Sequence, residues 1–74
     1  MSKKDKIEDK IKDLNSMRAT YHRDLERFEK QYKKNEISKE QLEEHKSNYE
    51  KKREKIRIKI HELEEKLEQL RKNS

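Results

Sequence analysis

An all-α fold is what this 74-residue sequence predicts, in the form of an antiparallel two-helix coiled-coil hairpin with self-association left open. Three observations point there. Apolar residues recur in alternating steps of four and three through both halves of the chain. Helix stop and start signals coincide near the middle. Between the apolar positions the side chains are nearly all Lys, Arg, Glu, Asp, Gln, Asn or His.

The first helix is expected over about residues 2–34. Ile7, Leu14, Tyr21 and Phe28 are seven apart, and Ile11, Arg18, Leu25 and Tyr32 follow them at four-residue offsets. These are the d and a positions of a heptad repeat. A turn is expected at 35–38. Lys33 and Lys34 suit a helix C-terminus, where the backbone dipole favours cations. Asn35 suits the left-handed residue that closes a helix. Ser38 suits an N-cap, with Gln41 placed to complete a capping box and Ile37 and Leu42 to form a hydrophobic staple. The second helix is expected over about 39–72, with d positions Leu42, Tyr49, Ile56, Leu63 and Leu70 and a positions Lys46, Arg53, Ile60 and Leu67. At the usual rise each helix is about 50 Å long.

Folding back at the turn sets opposed residues whose numbers sum to about 74. Phe28 then meets Lys46, Leu25 meets Tyr49, Tyr21 meets Arg53, and Leu14 meets Ile60. The heptad phase runs through the turn without a slip, so one continuous helix is also compatible with the pattern. In a parallel dimer of such helices Arg18, Lys39, Lys46 and Arg53 would each face its own copy, a heavy penalty for buried charge. An antiparallel, domain-swapped dimer keeps the hairpin's layers. The hairpin is preferred because Ile37 would lie exposed in a continuous helix.

Composition narrows the function. The chain carries 22 Lys and Arg against 17 Asp and Glu, a formal +5, and is 53% charged and 26% hydrophobic. Leu, Ile and Phe together make up fewer than a fifth of the residues, a level at which a chain of high net charge is disordered by default. The regular spacing and the mixed sign of the charges argue for a folded chain instead. Gly, Pro, Cys and Trp are absent. There is accordingly no glycine-rich phosphate cradle, disulfide, thiolate metal site or Cys nucleophile. No two apolar residues are adjacent, so neither a transmembrane span nor a signal-peptide core is present, and an intracellular, cytoplasmic chain is expected.

No enzymatic chemistry is expected. His22, His45 and His61 have no His or Cys one helical turn away, so no metal pair shares a helix face, and surface positions are expected for all three. Carboxylate pairs such as Glu43 and Glu44 have no pocket to separate their pKa values. No cofactor, catalytic residue or small-molecule substrate is implied. Arg18, Lys46 and Arg53 are expected to lay aliphatic stems along the seam, hold their heads in water and set helix orientation. Tyr21, Tyr32 and Tyr49 are expected in the seam with their hydroxyls in solvent. Met17 and Ile58, apolar and off the seam, are the candidate partner contacts. From Lys46 to Lys59 seven cations stand against two glutamates. Cross-helix pairing, as of Asp24 with Lys52, would make that stretch an ordinary solvated face.

The leading expectation is therefore a protein–protein interaction, scaffold or assembly module, its partner either itself or another protein. The alternative is a small basic nucleic-acid-binding protein. In it Lys51, Lys52, Lys55, Arg57 and Lys59 make sequence-independent phosphate contacts.

Overall fold

The computed structural model describes residues 2–73, and these form two helices, α1 (Lys3–Lys33) and α2 (Lys39–Lys72), packed against one another as a hairpin. The helix ends lie within a residue of those expected. Ser2 is the cap of α1 rather than its first residue, and its Oγ accepts from the Asp5 N–H at 3.1 Å.

Local chemistry closes the turn. Asn35 has φ 61°, the left-handed conformation that a short amide side chain tolerates best after Gly. The Glu36 N–H donates to the Gln31 carbonyl and the Asn35 N–H to the Tyr32 carbonyl, at 2.9 and 3.0 Å. These two bonds are the Schellman arrangement, and they satisfy carbonyls that a free helix end leaves unpaired. Three residues on, the Gln41 N–H donates to Ser38 Oγ and the Ser38 N–H to Gln41 Oε1, at 3.1 and 2.9 Å, completing the capping box. Ile37 is half-buried and Leu42 buried, as a staple requires. A helix stop and a helix start thus sit four residues apart, and the chain reverses rather than running on.

Two helices enclose only a thin core. Leu42, Ile56 and Leu63, all d positions of α2, are buried to 4–5% exposure. Ile7, Ile11, Leu14, Tyr21, Leu25 and Phe28 on α1 are half-buried, because no third element covers the seam from above or below. The hairpin measures 57 × 18 × 11 Å, a ribbon with two broad faces. Among the described residues no helix is long and apolar enough to cross a membrane.

Contacts across the seam confirm the antiparallel register and correct its detail. The Phe28 ring stacks on His45, centroids 3.6 Å apart and planes within 5°. The Lys52 ammonium lies 4.7 Å from the centre of the Tyr21 ring. The aromatic partners are therefore His45 and Lys52, not the adjacent Lys46 and Arg53. Side chains that flank the seam reach over the opposing ring, while the a-position Arg53 lies by Tyr49 on its own helix.

Candidate interaction surfaces

The plane containing the two helix axes divides the surface of the ribbon. In an antiparallel pair the g positions of both helices, with their c neighbours, line one broad face, and the e and b positions line the other. Two grooves lie on the c/g side. One is lined by Tyr21, Asp24, Phe28, His45, Tyr49 and Lys52, and draws its g positions from both helices. The other, nearer the chain ends, is lined by Lys3, Lys6, Ile7, Lys10, Leu63 and Lys66. Four lysines thus rim a short apolar floor, and no carboxylate lines that groove.

Charge is sorted by face. Within the helices the c/g face carries eight cations and three carboxylates, a net +5. The b/e face carries ten carboxylates and four cations, a net −6. Lys10 and Lys66, from opposite helices, share the lysine groove, and Asp24 and Lys52 share the other. Three ion pairs and two histidine–glutamate contacts of the described residues run along a helix. They join His22 to Glu26, Asp24 to Arg27, Glu54 to Arg57, His61 to Glu65 and Glu68 to Arg71. Asp24 pairs with Arg27 at 3.6 Å, and Lys52 turns to Tyr21, so the expected Asp24–Lys52 pair does not form.

The cations of residues 46–59 do not make one surface. Lys52, Lys55 and Lys59 join the c/g face, and Lys51 points outward from the edge of the ribbon. Arg57 lies on the acidic face, where its Nε donates to Glu54 Oε2 at 3.0 Å. That hydrogen bond holds the Glu54 carboxyl below the usual glutamate range and raises the Arg57 guanidinium.

The three seam cations part company. Arg18 is exposed, and its guanidinium donates to Asn15 Oδ1 at 2.8 Å. Arg53 is exposed, 5.6 Å from the Tyr49 ring on its own helix. Only Lys46 is half-buried. Met17 and Ile58 are 44% and 46% exposed, Met17 on the c/g face and Ile58 on the outer edge. Tyr32, expected in the seam, is 37% exposed. The surface expectation fails for His45, which is half-buried, and holds for His22 and His61. His22 reaches across the seam to the Tyr49 hydroxyl, Nδ1 to Oη 3.3 Å. Among the described residues no cluster of His, Cys, Asp or Glu could hold a metal ion.

Face sorting is the surface feature that a count along the chain overlooks. The signal that reveals it is charge tallied by heptad position. No family model, curated protein or solved structure matches the chain, so its surfaces are the ground for a functional reading.

Proposed function

We propose that this chain is a non-enzymatic interaction and assembly module: a hairpin of coiled-coil character that presents flat, charge-sorted faces to protein partners. The observation that carries this is the opposite sign of the two broad faces. The apolar stripe faces inward between the helices and is left only partly open, so recognition falls mainly to charge, which sets orientation and encounter rate more than raw affinity. Met17 supplies an apolar contact within the basic face, and Ile58 one at its edge. The test is the sedimentation mass of the purified chain, with recovery of proteins retained by the immobilised chain. A mass above the monomer, or a retained protein that binds again when purified, supports the reading. A monomer at every concentration that retains nothing overturns it.

A second reading has one observation in its favour, the groove rimmed by Lys3, Lys6, Lys10 and Lys66. With Lys52, Lys55 and Lys59 it makes a cationic strip that a nucleic-acid backbone could follow. Titration of duplex DNA and RNA tests it. The affinity should fall steeply with salt, and fall further when Lys6, Lys10, Lys55 and Lys59 become Gln. Absence of binding at low ionic strength eliminates it.

A further inference from the structure

The geometry points to a second copy of this chain as the occupant of each broad face, the basic face of one hairpin lying on the acidic face of the next. This inference deepens the assembly reading and rests on it.

Three observations carry it. First, the two faces match in charge, +5 against −6, and belong to the same ribbon, so one contact uses both. A polyanionic ligand would account for the basic face and leave the acidic one unexplained. Second, Lys3, Lys6, Lys10 and Lys66, drawn from both helices, crowd one groove of the isolated hairpin with no carboxylate in its lining. Like charges gathered on one surface disfavour the compact state. A neighbour of opposite sign laid over the flank turns that repulsion into attraction. Third, a face of 57 by 18 Å offers roughly 1,000 Å², above the ~800 Å² per partner of a standard stable interface.

The contact joins two different faces, so it is heterologous. One face of every copy stays free, and the assembly grows as a stack unless its rotation closes a ring. Half-buried Ile7, Tyr21 and Phe28 lie in the grooves of the basic face, so stacking also removes apolar surface from water.

Two variants test this. In one, Lys3, Lys10, Lys59 and Lys66 become Gln, which disables the basic face. In the other, Glu8, Glu29, Glu43 and Glu64 become Gln, which disables the acidic face. All eight positions are exposed, and each change relieves or leaves untouched the repulsion within the hairpin. Circular dichroism should therefore show helix content equal to wild type. At about 20 mM salt, where the screening length is roughly 20 Å, the wild-type mass should rise with concentration. At about 500 mM, with a screening length near 4 Å, it should fall to the monomer. Each variant alone should remain a monomer, and an equimolar mixture should stop at a dimer of one copy of each. Variants that assemble as the wild type does overturn the stack, yet leave the chain an assembly module by another surface. A monomeric wild type at low salt overturns the stack too, and the assembly reading then stands or falls on the proteins that the chain retains.

Discussion

Asn35 is where the hairpin and the continuous helix make opposite demands. At φ 61° the residue pays the steric cost of the left-handed region, about 1–2 kcal/mol for an ordinary side chain and less for Asn. Asn35→Gly removes that cost and adds some unfolded-state entropy, a net gain of about 0.5–1 kcal/mol. Asn35→Ala keeps the Cβ and puts in a side chain that tolerates the left-handed region less well than Asn, so it should destabilise by about 1 kcal/mol. In an unbroken helix both signs invert. Ala is there the better helix former by up to ~0.7 kcal/mol, and Gly is worse than Asn by a few tenths. The assay is thermal unfolding followed by circular dichroism, in high salt and at low concentration so that association does not contribute. For a chain of this size the glycine variant should melt roughly 2–8 °C above wild type and the alanine variant below it. An alanine variant as stable as wild type or more so would refute the turn.

Three further outcomes follow from the same contacts. Ile56→Ala, at a position 5% exposed, should cost about 2–3 kcal/mol in urea unfolding, whereas Met17→Ala, at 44% exposure, should stay within about 0.5 kcal/mol; equal effects would mean that the seam has been misassigned. A double-mutant cycle on Phe28 and His45, each changed to Ala, should give a coupling of about 0.5–1.5 kcal/mol, and additivity would remove the stacked pair. Glu54 should titrate by NMR below an ordinary glutamate, because Arg57 hydrogen-bonds its ionised form. Its folded value is depressed, so the pair's contribution is present above the unfolded glutamate value and is lost as pH falls through the lowered one; Arg57→Gln should move the titration back up, and a titration that stays put would mean that Arg57 is not the cause.

Local rules made the elements legible. Ser38, Gln41, Asn35 and the two lysines before it act within a few residues of themselves, and each does in the structure what its side chain prefers in any helix end. The seam was legible because burial follows a period that two packed helices impose. What sequence spacing could not resolve was which of two neighbouring side chains leans over a ring. Lys46 and His45 differ by one position, and the choice between them depends on where hydration can be kept. Ion pairing eluded the sequence for a related reason. A carboxylate one turn away along a rigid helix is already in place, whereas a cross-seam partner such as Lys52 for Asp24 has to forgo its aromatic contact. The sorting of charge by face is periodic too, but it emerges only once the register says which flanks of the two helices lie together.

The thin core bears on why the faces matter. Three buried side chains and a row of half-buried ones hold the helices together, and the ion pairs along them are solvent-exposed and add little. The crowding of four lysines in one groove works against even that. A partner that binds only the folded hairpin then stabilises it by mass action. If that partner is another copy, folding and stacking are coupled, and the melting temperature depends on protein concentration. At low salt a hundredfold increase in concentration should raise the wild-type midpoint by several degrees. The increase should vanish in high salt and in either single-face variant, and return when the two variants are mixed. A midpoint that ignores concentration under all four conditions would mean that the hairpin folds alone, with its opposed faces idle.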